Sequence, residues 1–397
     1  MNIEVILKSE IQEFIKTNFN EDSSKLALKK NPFPGVDYKE IINQIEAKNK
    51  CKTKLPLWFD TKSIVYPSKI SVEQTSSEIS AKYKATLLSG KKLIDITGGF
   101  GVDAYYFSNH FENVIHCEIN SDLSEIVKHN FSVLKKQNIQ CFNDDGLNVL
   151  KNLNQKFNAI YIDPSRRNDK KGKVFLLADC EPNVPELLDD YFEFSDTILI
   201  KTAPILDLKA GLSELKLVSK IHIVAVENEV KEILWQIEKN FDAEIEIKTV
   251  NLKKNNSQYF DFYLRPTLFS DYSEPKKYLF EPNAAILKSG GFLEVAKQFK
   301  VSKLHQHSHL YTSETIIPFP GRCFEVEKQF EFSKKNMELH LKNEQINVTI
   351  RNFPDTVENL RKKYKIKEGG NNYCFFTTDQ NEQKIVLICK KINENEI

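Results

Sequence analysis

Lys92-Leu-Ile-Asp-Ile-Thr-Gly-Gly-Phe-Gly-Val-Asp103 reads as a buried strand that runs into a glycine-rich turn and then a helix. Gly98, Gly99 and Gly101 leave no side chain between the backbone and whatever lies over the strand end. Such a turn lets a bulky polar ligand touch main-chain N–H groups at a helix N-terminus. Asp95, inside the strand, can accept from those N–H groups and fix the turn, or face a cationic group of a ligand. Asp103, at the expected helix start, reads as a helix cap. Further along, Ile160-Tyr-Ile-Asp-Pro-Ser-Arg-Arg167 is a second apolar strand ending in a carboxylate, a proline and two arginines. The two stretches imply a nucleotide-like cofactor at one strand end and chemistry at another.

Outward from this centre, β-rich runs alternate with helical patterns. Strands are expected at 92–97, 113–118, 139–143, 158–163, 196–201 and 221–227, followed by a pair at 244–252 and 258–265. Crossover-length gaps between them mean a mostly parallel sheet covered on both faces, and the final pair reads as a hairpin adding an antiparallel edge strand. Residues 1 to about 90 read as helical: Val5, Ile6, Ile11, Phe14 and Ile15 share helical spacing, as do Ile41, Ile42 and Ile45. Ser71 with Gln74 resembles a capping box opening the helix that leads to the glycine turn. After Pro266 the alternation stops, and Ser270–Lys277 is a linker candidate. Residues 278–320 mix a short helix pattern with Pro318 and Pro320. Residues 321–392 read as α+β, with strands at Phe324–Phe332, Glu338–Lys342, Asn347–Asn352, Tyr373–Thr378 and Lys384–Lys390 and a helix at Thr356–Lys365. The fold class is thus α/β, a Rossmann-like sheet with an N-terminal helical region and a C-terminal α+β domain.

A length of 397 residues suggests two or three domains, and 41% hydrophobic residues supply real cores. With 56 basic against 55 acidic residues no global field selects nucleic acid, so any basic surface is local. The 7 cysteines are scattered without a C-x-x-C pair, as expected of buried free thiols in a reducing compartment. No run approaches the ~18 apolar residues of a membrane span, and the N-terminus lacks the apolar core of a leader. The expectation is a soluble cytoplasmic protein with no membrane partner.

The second strand ends in His116-Cys-Glu118, where an acidic side chain can accept both ribose hydroxyls of a nucleoside cofactor. Nicotinamide enzymes use the same logic, although G-G-x-G-x-D is not the dinucleotide pattern G-x-G-x-x-G. In Asn143-Asp-Asp-Gly146, Asp144 or Asp145 can accept an adenine amino group or cap the next helix; Asp144 comes first off the strand and is preferred. Asp163-Pro164 lies where open α/β sheets bind ligands, at the topological switch point. Proline stiffens the turn. Asp163 can orient or deprotonate a nucleophile held there. Arg166 and Arg167 suit phosphate or another anion, or pair with Asp169, Asp179 or Glu181. Lys201-Thr-Ala-Pro204 ends the fifth strand, delivering Lys201 to bind substrate or to pair with Asp163. His305-Gln-His-Ser-His309 has ligand spacing along a strand but no acidic or cysteine partner nearby, so no metal is assigned. Arg361-Lys-Lys-Tyr-Lys-Ile-Lys367, diluted by Glu358 and Glu368, is either a phosphate-backbone contact or a solvated helix face.

Glu73-Gln-Thr-Ser-Ser-Glu78, Asp95-Ile-Thr-Gly-Gly-Phe-Gly-Val-Asp103, Asp163-Pro-Ser-Arg-Arg167 and Lys201-Thr-Ala-Pro204 together resemble bacterial class I S-adenosylmethionine (SAM)-dependent methyltransferases with a C-terminal THUMP-like domain. Pro320-Gly-Arg-Cys323, Arg351-Asn-Phe-Pro354 and Glu368-Gly-Gly370 extend the resemblance into the tail, and 278–320 resembles that group's small ferredoxin-like insert. It implies a helical region at 1–90, a catalytic domain at 91–268, a ferredoxin-like domain at 275–320 and a THUMP-like domain at 321–393. The implied SAM site comprises Asp95, Thr97, Gly98, Gly99, Phe100, Gly101, Glu118, Ile119, Asp144 and Asp145. The implied catalytic group is Asp163, Pro164, Arg166, Arg167 and Lys201. THUMP domains as a class bind RNA, so the implied substrate is structured RNA, tRNA or rRNA. The chain departs from the pattern Asp/Asn-Pro-Pro-Tyr/Phe of many amino-methylating enzymes, because Ser165-Arg166-Arg167 follows the proline and no aromatic ring is offered for stacking. No cysteine stands in this loop, which argues against carbon-5 pyrimidine chemistry. Rival readings are a methyltransferase for a protein or small anionic metabolite, a non-catalytic SAM-responsive RNA-binding protein, and a nicotinamide-dependent oxidoreductase.

Overall fold

The computed structural model describes residues 2–166, 176–265 and 271–393. The chain divides into two compact units, residues 1–221 with 232–243 and residues 222–231 with 244–397. Among the described residues no helix is long and apolar enough to cross a membrane.

The first unit carries β1 (Gly90–Asp95), β2 (Phe111–Cys117), β3 (Ile139–Phe142), β4 (Ala159–Ile162) and β5 (Thr197–Thr202). They pair in parallel in the order β3–β2–β1–β4–β5. The order reverses between β1 and β4, which opens a crevice at their carboxyl ends. Ile94, Ile160, Ile162, Leu199 and Ile200 are fully buried. A sheet covered on both faces has continuous apolar runs in place of alternation, so these strands are legible in sequence.

One strand is not. After β6 (Val218–Val226) the chain turns through Glu227 and Asn228, both in the left-handed region (φ 47° and 66°), and returns as β7 (Glu229–Glu238). β7 runs antiparallel on β5, with Ile237 opposite Ile198 and Ile233 opposite Thr202. No strand is expected there from sequence, because Ile233, Leu234, Trp235 and Ile237 are all buried and the run shows no period of two.

The N-terminal helices bury Ile6, Ile11, Ile15, Leu26, Ile41 and Ile45 in one cluster, as their spacing requires. The capping box expected at Ser71 is displaced. Ser68 caps α1 (Lys69–Gln74), its Oγ accepting the Ser71 N–H at 3.1 Å, so Ser71 lies inside the helix. A second helix, α2 (Glu78–Ala85), begins at Ser77, whose Oγ accepts the Ser80 N–H at 3.3 Å, and it leads into β1.

In the second unit β8 (Glu246–Leu252) and β9 (Gln258–Tyr263) form the expected antiparallel hairpin. Seven further strands make a sheet: β10 (Tyr278–Pro282), β11 (Ser302–Lys303), β12 (Tyr311–Ser313), β13 (Gly321–Glu331), β14 (Asn347–Arg351), β15 (Asn372–Thr378) and β16 (Lys384–Ile392). Their order is β11–β12–β10–β13–β16–β15–β14; β14 and β15 are parallel and the other pairs antiparallel. Alternate residues serve opposite faces. Phe376 and Val386 join Met337 and Leu360 on one side, and Phe375 and Leu387 join Leu279 and Phe324 on the other.

The strand expected at Glu338–Lys342 is instead part of helix α3 (Lys334–His340). Ser333 caps it by accepting the Asn336 N–H at 3.2 Å, and Met337 and Leu341, four residues apart, are both buried. In the histidine loop, His305 Nε2 lies 2.9 Å from Glu382 Oε1 and its Nδ1 accepts from Asn352 at 2.8 Å. His309 stacks on Phe292 at 3.5 Å. In the basic stretch, Arg361 donates to Glu368 at 3.0 Å.

Candidate active site

The turn after β1 is fastened to β2. Gly98 N–H donates to the Cys117 carbonyl at 2.8 Å, and a Cβ on Gly98 would stand 2.2 Å from Nε2 of His116, so no other residue fits. Gly99 and Gly101 adopt φ of 55° and 75°, which other residues rarely hold. Burial pushes the His116 imidazole down to about 4, so the ring beneath the turn is neutral at neutral pH. Glu118 ties the same turn from the other side. Its Oε2 accepts the Gly99 N–H at 3.0 Å and its Oε1 the Asn120 N–H at 2.7 Å.

Asp95 is 1% exposed and accepts the Thr97 N–H at 3.1 Å. Burial, and then the nearby Asp103 carboxylate, hold its carboxyl well above the usual carboxylate range. Asp103 is not the cap expected from sequence. The helix Val102–Phe107 starts at Gly101 without a side-chain cap. Asp103 turns inward instead, accepting from Ser76 Oγ at 2.9 Å, Tyr161 Oη at 2.8 Å and Lys84 Nζ at 3.1 Å. Lys84, with no exposed surface, also pairs with Glu232 at 3.0 Å. Burial pushes the Asp103 carboxyl up, but Lys84, then Lys201 and Tyr161, outweigh it and hold the group below its ordinary range. This buried network escapes the sequence reading because its members are far apart in the chain. One local signal exists: Lys84 sits between Ala81 and Ala85 on the inward face of α2.

Past β4, Asp163 N–H donates to Thr97 Oγ1 at 2.6 Å, and the carboxylate pairs with Lys201 from the end of β5. Burial lowers the Lys201 ammonium, but Asp163, then Asp103 and Glu232, raise it further and keep it charged. Ser165–Arg166 forms a short antiparallel ribbon with Cys180–Glu181. Arg167 lies outside the described residues, and for Arg166 only the backbone is described. Off β3, Asp145 caps the helix Gly146–Leu153, its Oδ1 accepting from Leu147 and Asn148 N–H groups at 3.0 and 3.1 Å. Asp144 is exposed, as is Ile119, at 77%.

These strand ends surround a cavity of about 1050 Å³, also lined by Ser71 and Gln74 of α1 and by Thr75 after it. Its charged lining is Asp95, Asp103, Glu118, Asp144, Asp145, Asp163 and Glu181, with no lysine, arginine or histidine among the described lining residues. Such a wall accepts a ligand with cationic and hydroxyl groups and resists a multiply anionic one.

Family models match residues 278–320 as a ferredoxin-like domain and residues 321–391 as THUMP domain-like. Among solved structures, a protein from Porphyromonas gingivalis W83 assigned as a methyltransferase matches at 30% identity and TM-score 0.87, over 99% of this chain and 100% of that one. The chain belongs to the class I methyltransferase family that carries a C-terminal THUMP-like domain. An rRNA methylase from Streptococcus thermophilus aligns at 15% identity and TM-score 0.29, over 41% of this chain and 94% of that one. A Streptococcus mutans protein, assigned as a methyltransferase and solved with SAH, aligns at 14% identity and TM-score 0.30, over 41% and 96%. Comparison with curated proteins finds no match.

Within this methyltransferase fold Asp95, Thr97, Gly98, Gly99, Phe100, Glu118, Ile119, Asp144, Asp145, Asp163 and Pro164 all line the one cavity. Gly101 is not among the lining residues; its left-handed φ of 75° sets the start of the helix Val102–Phe107. Lys201 reaches the cavity edge through its pairing with Asp163. The sequence reading overlooked Gln74, Thr75, Tyr161 and Tyr191, which also line it.

Proposed function

We propose that this chain transfers a methyl group from SAM to structured RNA, tRNA or rRNA, in the cytoplasm. The observation that carries the cofactor is the acidic lining. SAM brings a sulfonium, an ammonium and ribose hydroxyls, whereas a nicotinamide dinucleotide would bring a pyrophosphate against Asp95, Glu118, Asp144 and Asp163. The glycine-turn backbone from Thr97 to Gly101, with Phe100, holds the cofactor's centre. Asp95 faces its cationic end, and the cationic charge favours the ionised carboxylate. Each Glu118 oxygen has a free lone pair beside the N–H it already accepts, which suits two ribose hydroxyls. Asp144 takes the adenine amino group because the Asp145 carboxylate is engaged as a cap, and Ile119 lies against the ring. Bound SAM supplies an electrophilic methyl group. Asp163, stiffened by Pro164 and held by Lys201, orients the acceptor, and Arg166 and Arg167 take the substrate's anionic groups. The catalytic domain is then residues 91–268, after helices over 1–90, with the domains at 275–320 and 321–393 following. The THUMP domain-like match supports RNA as the substrate.

The test is transfer of labelled methyl from SAM into total RNA from a strain lacking this gene. Incorporation that depends on the added protein supports the reading, and label found only in protein or small molecules overturns the substrate.

Asp95→Asn separates ligand binding from folding. The folded state raises this carboxyl, so its contribution to stability is present at low pH and lost as pH rises. The variant is expected to melt higher than wild type near neutral pH, to lose that advantage at about pH 4, and to bind S-adenosylhomocysteine at least about ten-fold more weakly. Unchanged affinity in calorimetry would refute the assignment of Asp95 to the cationic end.

A further inference from the structure

Pro320-Gly-Arg-Cys323 and Arg351-Asn-Phe-Pro354, tail motifs that the methyltransferase site leaves unused, meet in the second unit at Glu281 of β10. Gly321 lets β13 lie close against β10, since a Cβ there would stand 2.0 Å from the Glu281 carbonyl oxygen. That pairing sets Arg322 directly opposite Glu281. The Glu281 carboxylate, 4% exposed, accepts from Arg322 Nε at 2.6 Å and pairs with Arg351 Nη2 at 2.5 Å. Asn352 fixes the end of β14. Its φ is 51°, its Nδ2 donates to His305 Nδ1 at 2.8 Å, and its carbonyl accepts from Thr378 Oγ1 at 2.6 Å. Phe353 packs edge-on against Phe332 and Phe376.

The charges here do not balance. One buried carboxylate serves both guanidiniums, and no other described acid pairs with either. Lys303, 2% exposed, donates from Nζ to the Gln306 carbonyl at 3.0 Å and has no described carboxylate partner. Burial alone lowers its ammonium to about 8, which leaves it mostly charged at neutral pH. At His309, burial, then the charges of Lys303, His307 and Arg351, push the imidazole down to about 4. Its Nδ1 is buried without a described hydrogen-bond partner. Both arginine side chains remain about one-third exposed, at 33% and 35%. The Arg322 guanidinium lies 5.4 Å from the Phe324 ring centre and 5.7 Å from that of Tyr373, which hold it in place. Arg351 spends one further donor on the Ile350 carbonyl at 2.7 Å. Each guanidinium therefore keeps N–H donors that no described residue uses. Forks pinned by a carboxylate on the buried side and reachable from solvent suit the oxygens of a phosphate.

We propose that Arg322 and Arg351, positioned on Glu281, bind a phosphate group, and that a phosphodiester of the RNA substrate supplies it. Naming RNA as the source rests on the proposed function, whereas the phosphate site rests on the cluster alone. Glu281, Lys303 and His309 come from the ferredoxin-like segment, and Arg322 and Arg351 from the THUMP-like one, so neither segment completes the site by itself.

The test uses the full chain in two titrations, fluorescein-labelled tRNA by anisotropy over a range of salt and pyrophosphate by calorimetry. Arg322→Gln with Arg351→Gln is expected to weaken tRNA about ten-fold or more, and to reduce the slope of log affinity against log salt by about one to two. Because that pair of changes strands the Glu281 carboxylate, a triple variant adding Glu281→Gln is measured beside it. The triple variant should melt close to wild type and bind tRNA as weakly as the double one, with pyrophosphate binding lost in both. A folded triple variant that binds both ligands as wild type does overturns the proposal, and so does a wild type that binds neither. Loss of pyrophosphate alone, with tRNA bound as before, keeps the phosphate site and overturns RNA as its source. A wild type that takes pyrophosphate through the arginines but no tRNA keeps the site while counting against the RNA reading itself.

Discussion

Asp163→Ala is expected to slow methyl transfer about a hundred-fold or more while S-adenosylhomocysteine affinity stays within about three-fold. The carboxylate is fixed from three directions: Pro164 stiffens its backbone, its N–H is bonded to Thr97 Oγ1 at 2.6 Å, and Lys201 pairs with its side chain. Transfer of a methyl group demands an in-line approach, and an acceptor left to drift by an ångström loses about that factor. The substitution also leaves the buried Lys201 ammonium unpaired, so the variant should melt lower than wild type. Asp163→Ala with Lys201→Met removes the orphan charge and should recover the melting temperature without recovering activity. Single-turnover rates and thermal melts on the three proteins decide between the roles. If the double variant regains activity with stability, Asp163 is there to hold Lys201 and the proposed orienting role fails.

Lys84→Met is expected to cost about 3–5 kcal/mol of stability near neutral pH, because two buried carboxylates lose their shared counter-ion. Lys84 stands 3.0 Å from Glu232 and 3.1 Å from Asp103, and Asp103 in turn supports Ser76 and Tyr161. Asp103 has its carboxyl lowered in the folded protein. Its contribution is therefore present above the unfolded pKa and lost as pH falls through the folded value. The penalty of the substitution should accordingly shrink as pH falls from neutral into the range where the Asp103 carboxylate, deprived of Lys84, can take up a proton. Trp58 and Trp235, both in the first unit, make tryptophan fluorescence a readout of this unit during urea unfolding. A loss under about 1 kcal/mol, or one independent of pH, would contradict the network's assigned weight. Adding Glu232→Gln to the variant should return part of the loss, since one unpaired charge disappears.

Asp103 shows where sequence reasoning stops. Its position near a helix start is sufficient for a cap by local rules, but the helix begins at a left-handed Gly101 and the side chain points inward to a lysine from another helix. Nothing within a window of a few residues distinguishes those outcomes. For Asp144 and Asp145 the sequence offers only their order off the strand, and the backbone donors from Leu147 and Asn148 show that Asp145 is the cap. β7 was missed for a related reason: burial on both faces erases the period that announces a strand.

The amino-acid sequence by itself determined the elements whose causes are local. Apolar runs made the parallel strands, and glycines made the turn, since Gly98 faces the His116 ring and Gly99 and Gly101 hold left-handed backbone. It also set Asp163-Pro164 at the end of β4, because residues following a buried strand emerge at the sheet's edge. The tertiary structure alone decided which charges meet. Ser76, Lys84, Asp103, Tyr161 and Glu232 converge, Lys201 pairs with Asp163, and carboxylates from Asp95 to Glu181 come to line one cavity. Hydrophobic periodicity is carried by neighbours along the chain, whereas a charge's partner and its desolvation depend on groups that only folding brings within a few ångströms.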